Sequence, residues 1–118
     1  MRVIVSGATG WGDVEVVRRE LAALPPETII IHGDARGADE IGGQIARELG
    51  FSVERLSKNE GDYRRYKRGA WKGLNERMLA SGVDLVLAFH EDIDRSHGTR
   101  HLVRLAREAG VPVQIITG

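Results

Sequence analysis

Short runs of hydrophobic residues recur along the chain and alternate with longer segments in which apolar residues stand three or four apart. The short runs predict five strands, over residues 3–5, 29–31, 51–56, 85–89 and 111–116. Strands that are apolar on both faces are typical of a parallel sheet covered by helices on both sides. The third run is interrupted by Ser52, Glu54 and Arg55, so we place it at an edge of the sheet.

Four segments between these strands predict amphipathic helices. Asp13 is the expected N-cap of the first helix. Gly50, Gly82 and Gly110 each separate a helix from the next strand, where glycine adopts the left-handed conformation that ends a helix. This repeated unit predicts one α/β domain over residues 1–118. The apolar stripes are Val14, Val17, Leu21 and Leu24; Ala38, Ile41, Ile45 and Leu49; Leu74, Met78 and Leu79; and Leu102, Val103, Ala106 and Ala109.

Right-handed crossovers between successive parallel strands give the strand order 3-2-1-4-5. We therefore expect a Rossmann-like α/β fold, a five-stranded parallel sheet flanked by helices. Open parallel sheets bind ligands beyond the carboxyl ends of their strands, where the strand order reverses. The reversal falls between the first and fourth strands, so the loops after the first, second and fourth strands form the candidate site.

The loop after the first strand is rich in glycine. Glycine permits a tight turn and lets backbone amides approach a phosphate at the start of the next helix. A tight turn that binds no ligand is the alternative. The candidate ligand-binding residues of this loop are Ser6, Gly7, Ala8, Thr9, Gly10 and Trp11.

The loop after the second strand combines glycine with charged residues. Arg36 can pair with a phosphate through its forked guanidinium. Asp39 falls in the first turn of the next helix, where it either compensates the helix dipole or contacts a ligand. We interpret His32 as a packed histidine at the end of the strand. The candidate ligand-binding residues are Gly33, Asp34, Arg36, Gly37 and Asp39.

The loop after the fourth strand is polar and ends at a predicted helix start. The free amides of that helix start form a potential anion site. The spacing of His97 and His101, with Asp92 and Asp94 nearby, permits a metal site. A solvated polar loop fits better, so we expect no metal and no cofactor. The candidate ligand-binding residues are Phe89, His90, Gly98 and Thr99.

Composition narrows the class of function. The 118 residues are 42% hydrophobic and 29% charged, as in a globular protein. The formal net charge of zero argues against a dedicated nucleic-acid-binding protein, and the absence of cysteine excludes disulfides and thiolate metal sites. No apolar run approaches the roughly 20 residues that cross a bilayer, and the N-terminus has no signal-peptide pattern. We expect a cytoplasmic protein with no membrane partner.

Residues 62–72 are both basic and aromatic. This segment could bind nucleic acid by charge and stacking, form the solvated face of a helix, or act as a lid that brings cations to the ligand pocket. Because the neutral chain lacks a wider basic field, we favour the lid and do not expect a nucleic-acid partner.

Residues over nearly the whole chain match one family pattern. They are 2–7, the run 32–39 (His-Gly-Asp-Ala-Arg-Gly-Ala-Asp), Asn75 with Met78 and Leu79, 84–89, Gly98 with Thr99, and 106–113. The run 32–39 is the most specific. The chain resembles the SLOG superfamily, which contains the lonely-guy phosphoribohydrolases and the DNA-processing protein DprA. Within it, the chain is most similar to the YspA-related family found in bacteria and phages.

The resemblance implies a ligand derived from a nucleotide or nucleotide sugar, and a homo-oligomer. It also adds Asn75 and Arg77 to the candidate ligand-binding residues. The lonely-guy enzymes use an arginine on the third helix and a glutamate after Gly-Thr to cleave the ribose–base bond. Here Leu74 stands at the arginine position with Arg77 one turn on, and Arg100, His101 and Leu102 follow Gly98-Thr99 without a carboxylate.

These departures favour a binding protein over an enzyme. We expect a sensor or sequestering protein that holds a phosphate-bearing, nucleotide-derived ligand at the carboxyl edge of the sheet. One alternative is a hydrolase of an N-glycosidic or phosphate bond in a nucleotide, with Asp39 or His101 as its acid–base group. Another is a DNA-associated module that uses the basic segment.

Overall fold

Strands and helices alternate along the chain in the computed structural model, which describes residues 1–118. The loops include short 3₁₀ turns at Lys67–Gly69 and Ile93–Arg95. No helix combines the length and apolar character needed to cross a membrane. The elements are β1 (Arg2–Gly7), α1 (Val14–Ala22), β2 (Ile29–His32), α2 (Ala38–Glu48), β3 (Ser52–Arg55), α3 (Glu60–Tyr66), α4 (Trp71–Ala80), β4 (Leu85–Phe89), α5 (Gly98–Glu108) and β5 (Val113–Ile116).

All five strands are parallel and lie in the order β3-β2-β1-β4-β5. This confirms the predicted order, the edge position of β3 and the Rossmann-like α/β class. Ser6 pairs with Ala88 and Gly7 with Phe89. The loops after β1 and β4 therefore leave the sheet side by side, at the point where the strand order reverses.

The core lies on both faces of the sheet because successive strand residues point to opposite sides. On one face, residues of β1, β2 and β4 pack with α1 and α2, and the cluster includes Val3, Val5 and Phe89. On the other face, Ile4, Ile31 and Val86 pack with residues of α4 and α5.

Most residues of the predicted helix stripes are buried, and the exposed ones lie at helix ends. Val17 and Leu21 are fully buried, but Val14 is exposed and Val16 is buried in its place. Leu49 and Ala109, the C-cap residues of α2 and α5, are also exposed. The caps are confirmed: Asp13 accepts a hydrogen bond from the Val16 N–H, and Gly50, Gly82 and Gly110 have φ of +88°, +89° and +75°.

The helix α3 was not predicted as a separate element. Its first turn forms a capping box, in which Asn59 Oδ1 accepts from the Asp62 N–H and Asp62 Oδ2 accepts from the Asn59 N–H, both at 2.9 Å. Lys67 ends the helix with φ of +55°. Residues 62–72 are therefore divided between α3, a 3₁₀ turn and the start of α4.

Candidate functional site

A cavity of about 500 Å³ opens at the carboxyl edge of the sheet, beside the paired ends of β1 and β4. Its walls come from the loops after β1, β2, β3 and β4 and from α4 and the start of α5. This volume lies within the range of small-molecule sites. The predicted site residues that line the cavity are Ser6, Gly7, Ala8, Thr9, Gly10, Gly33, Asp34, Asp39, Asn75, His90, Gly98 and Thr99.

Five predicted ligand-binding residues do not line the cavity: Trp11, Arg36, Gly37, Arg77 and Phe89. Trp11 and Phe89 are buried in the core with their ring centroids 5.7 Å apart. The Arg36 side chain is exposed on the loop beyond the lining. These three residues therefore support or border the site without facing into it.

Gly37 holds two of the cavity loops together. Its φ is +72°, and a Cβ there would lie 2.3 Å from the Ala8 carbonyl oxygen and 2.5 Å from that of Thr9. The Ala8 oxygen also accepts a hydrogen bond from the Ala38 N–H at 3.1 Å. Only glycine fits this contact, so the loop after β2 packs directly on the loop after β1.

The loop after β1 is anchored to β4 and leaves two amides free. The Ala8 N–H donates to the Phe89 carbonyl oxygen at 2.8 Å. The backbone N–H groups of Thr9 and Gly10 donate hydrogen bonds to no group of the protein. Both residues line the cavity, so their amides are available to an anionic group.

The first turn of α5 also leaves a backbone amide without a partner. Ser96 Oγ accepts a hydrogen bond from the Thr99 N–H at 3.0 Å. His97, the N-cap residue, offers no side-chain cap, and the Gly98 N–H donates to no group of the protein. Free amides at the positive end of a helix dipole attract anions.

Asn75 connects α4 to the start of α5. Its Nδ2 donates to the Gly98 carbonyl oxygen at 3.1 Å and lies 3.0 Å from His101 Nδ1. Its Oδ1 has no protein partner. Asn75 is buried and lines the cavity, so it positions the helix start and offers one hydrogen-bond acceptor.

Asp39 lies against the loop after β2 with 6% of its surface exposed. Burial raises the pKa of its carboxyl to about 7, and the negative charge of Asp34 acts in the same direction. The backbone N–H groups of Ala35 and Gly33 oppose this shift. The cavity therefore contains a carboxyl group that gains and loses its proton near neutral pH.

Lys58, which follows β3, completes this side of the cavity. Its Nζ lies 2.6 Å from Asp34 Oδ1, and its backbone N–H donates to Asp34 Oδ2 at 2.9 Å. Burial alone would raise the pKa of Asp34, but these hydrogen bonds hold that pKa below its usual value. Each charge therefore largely neutralises the other.

Arg77 points away from the cavity. It pairs with the carboxylate of Asp62 on α3 and donates to the Ser57 carbonyl oxygen at 2.7 Å. The hydrogen bond from Arg77 holds the pKa of the buried Asp62 below its usual value. Arg77 thus fastens α3 to α4.

Two histidines considered in the sequence analysis, His32 and His101, lie outside the main cavity. His32 is buried beneath α2, with Nδ1 2.8 Å from the Gly33 oxygen, which confirms the packed interpretation. His101 lies outside this cavity, edge-on to Trp71 at 5.3 Å, and burial lowers its pKa. The structure has no group of three or more histidine or acidic side chains placed to hold a metal ion.

Several lining residues were not predicted: Ala35, Lys58, Trp71, Leu74, Met78, Glu91, Arg95, Ser96 and His97. For Lys58, the available signal in the sequence was its position just after the end of a parallel strand. From the basic segment 62–72, Trp71 is the one residue that lines the cavity. The cations of that segment do not line it, so the structure does not bring the charges of the predicted lid to the cavity.

Residues 1–61 match the family model described as YAcAr, the YspA, cpYpsA-related SLOG family. The chain is also 37% identical over 120 aligned positions to the Gene 61 protein of Mycobacterium phage D29, covering 95% of this chain and 93% of that protein. The chain belongs to the YspA-related SLOG family. This confirms the resemblance inferred from the run 32–39, which includes the second cavity loop.

The fold of this SLOG protein is similar to that of DNA processing protein A (DprA) from Streptococcus pneumoniae, with a TM-score of 0.77 and 19% sequence identity. The match covers 99% of this chain and 50% of the DprA chain. The chain thus spans about half the length of that neighbour, and the likeness concerns the fold.

Proposed function

We propose that this protein binds a nucleotide-derived, phosphate-bearing ligand in the cavity, as a sensor or sequestering protein. The observation that carries the proposal is the convergence of unpaired amides from two loops. Thr9 and Gly10 after β1 and Gly98 at the start of α5 all line the cavity, and their N–H groups have no protein partner. Backbone amides of this kind bind phosphate.

The side chains of the cavity favour a neutral group beside that phosphate. Lys58 is neutralised by Asp34, and the exposed Arg95 lies 3.8 Å from the carboxylate of Asp92. Trp71 offers a flat surface on which a base can stack. The protonated form of Asp39 would avoid repelling the phosphate.

The relatives support a nucleotide-related role in general terms. The family is a SLOG family, and the fold neighbour is named as a DNA processing protein. Neither name specifies a ligand for this chain.

A hydrolase acting on a nucleotide is the second candidate, because Asp39 lines the cavity and titrates near neutral pH. A group with such a pKa can accept and return a proton during catalysis. Incubation with nucleoside monophosphates, followed by chromatography, tests this candidate. Release of base or phosphate that is lost in Asp39→Asn would favour the hydrolase; no release above the no-protein control would favour the binding protein.

A matched pair of glycine variants tests the binding proposal. Gly10 lines the cavity and Gly12 does not, yet a Cβ at either position meets no atom within 4 Å. A carboxylate at Gly10 would repel a bound phosphate, whereas one at Gly12 would remain outside the cavity. Both variants should fold like the wild type.

The measurement is a thermal-shift screen of nucleoside mono- and diphosphates, since a ligand of the folded state raises its apparent stability. We expect a stabilising nucleotide for the wild type and Gly12→Asp, and loss of that stabilisation in Gly10→Asp. Equal stabilisation of all three proteins would exclude this cavity as the site. Absence of any stabilising nucleotide would overturn the proposal.

A further inference from the structure

A second, basic cavity adjoins the first. It has a volume of about 300 Å³ and is lined by Trp71, His97, Arg100, His101 and Arg104. We call these five residues the α5 annex. Trp71 and His97 also line the main cavity, so the two spaces share a wall formed by these side chains.

The α5 annex carries unpaired positive charge. Arg104 forms neither an ion pair nor a hydrogen bond, and Arg100 donates only to the Asp94 backbone oxygen, at 3.2 Å. No acidic residue lines the annex. Arg100 and Arg104 are one helical turn apart, a spacing at which like charges repel each other on a helix.

Some other arginines of this chain have carboxylate partners. Arg2 binds the Glu54 carboxylate at 2.8 Å, and Arg77 binds Asp62. Two adjacent arginines without carboxylate partners leave forked donors that match a phosphate. The main cavity, in contrast, balances Lys58 against Asp34.

The ring of Trp71 forms an apolar surface on the wall that the two cavities share. Its edge-on contact with His101 fixes the two rings at 86° to each other. The Lys72 Nζ lies 5.5 Å from the Trp71 ring centroid. An aromatic ring beside cationic groups is a platform for a nucleotide base and its phosphate.

We propose that the α5 annex is a second subsite, which binds the second phosphate-bearing unit of a linear dinucleotide whose first unit occupies the main cavity. This inference rests on the proposed function and specifies its ligand class. The first phosphate binds the free amides of the main cavity. The second phosphate binds Arg104 and Arg100, and the adjoining cavities accommodate the two nucleoside units.

The test compares each nucleoside monophosphate with the linear dinucleotide of the same base that carries a 5′-phosphate (pNpN), by isothermal titration calorimetry. We expect the dinucleotide to bind the wild type at least about tenfold more tightly, the effect of one charge-assisted hydrogen bond. Arg104→Gln should abolish this advantage while the affinity for the monophosphate stays unchanged. Arg107→Gln is the matched control, because Arg107 is exposed on the same helix and lines neither cavity.

Three results would overturn the inference while leaving the proposed function intact. The dinucleotide could bind no more tightly than the monophosphate, or Arg104→Gln could keep the full advantage. A ten-nucleotide strand could also bind far more tightly than the dinucleotide, which would indicate a nucleic-acid surface. If neither monophosphates nor dinucleotides bind the wild type, the proposed function fails, and this inference fails with it.

Discussion

At the residue scale, Asp39 is the group whose chemistry is changed most by its place in the fold. Burial raises its pKa from 3.8 to about 7. The folded protein therefore binds this proton more tightly than the unfolded chain does. It follows that the contribution of Asp39 to the free energy of unfolding decreases as the pH rises from about 4 to about 7, and then levels off.

This pH dependence can be measured with Asp39→Asn, which cannot ionise. One pKa unit corresponds to roughly 1.4 kcal/mol, and about two units separate pH 5 from the raised pKa, so the variant should gain roughly 3 kcal/mol relative to wild type between pH 5 and pH 8. Urea denaturation at pH 5 and pH 8 measures the difference. Glu40→Gln, at an exposed neighbouring position, should show no such gain. A constant difference between Asp39→Asn and wild type at both pH values would contradict the raised pKa.

At the element scale, the site depends on the contact between the loops after β1 and β2. Gly37 and Gly50 both have positive φ, but a Cβ at Gly37 would collide with the Ala8 and Thr9 oxygens, whereas one at Gly50 meets open space. Both Gly37→Ala and Gly50→Ala introduce backbone strain of about 1–2 kcal/mol. Only Gly37→Ala should also displace a wall of the cavity.

We therefore expect both alanine variants to lower the melting temperature, with the larger decrease for Gly37→Ala. Nucleotide stabilisation in the thermal-shift assay should persist in Gly50→Ala and be lost in Gly37→Ala. Equal decreases and equal ligand responses would show that the loop contact has no effect on the site.

Periodicity predicted the strands, because continuous apolar runs and terminal glycines are local signals. The handedness of crossovers between parallel strands then gave their order and the cavity loops after β1, β2 and β4. Periodicity did not predict α3, whose start is set by the reciprocal capping of Asn59 and Asp62. Lys58 was missed although it follows the end of a parallel strand, and Trp71 was missed because no local pattern places it at the cavity. Their positions depend on how β3 and α4 pack in three dimensions. Arg77 was predicted to bind the ligand because the sequence gives no sign of its buried partner, Asp62.

At the scale of the whole molecule, the net charge of zero limits binding to nucleic acid. The basic segment is also partly neutralised, since Arg65 lies 3.7 Å from the Glu76 carboxylate. We expect single-stranded DNA to bind more weakly than about 1 μM at roughly 150 mM salt. Fluorescence anisotropy measures this affinity. Tight binding that persists in salt and is removed by Arg64→Glu, Arg65→Glu and Lys67→Glu together would favour a DNA-associated module.

The fold provides an internal control for the location of the ligand. Gly10, Gly33 and Gly98 line the cavity at the carboxyl edge of the sheet. Gly50, Gly82 and Gly110 follow α2, α4 and α5 and precede the strands, so they lie at the opposite edge. Glycine amides of both edges can be followed together in a nitrogen–proton correlation NMR spectrum.

Titration of the labelled wild-type protein with nucleoside monophosphates, followed by this NMR spectrum, tests the binding site most directly. We predict that the amide resonances of Gly10, Gly33 and Gly98 shift with a common, saturable dependence on nucleotide concentration. Those of Gly50, Gly82 and Gly110 should remain in place. If no nucleotide shifts the first set, or if the second set shifts instead, the cavity at the carboxyl edge is not a nucleotide site.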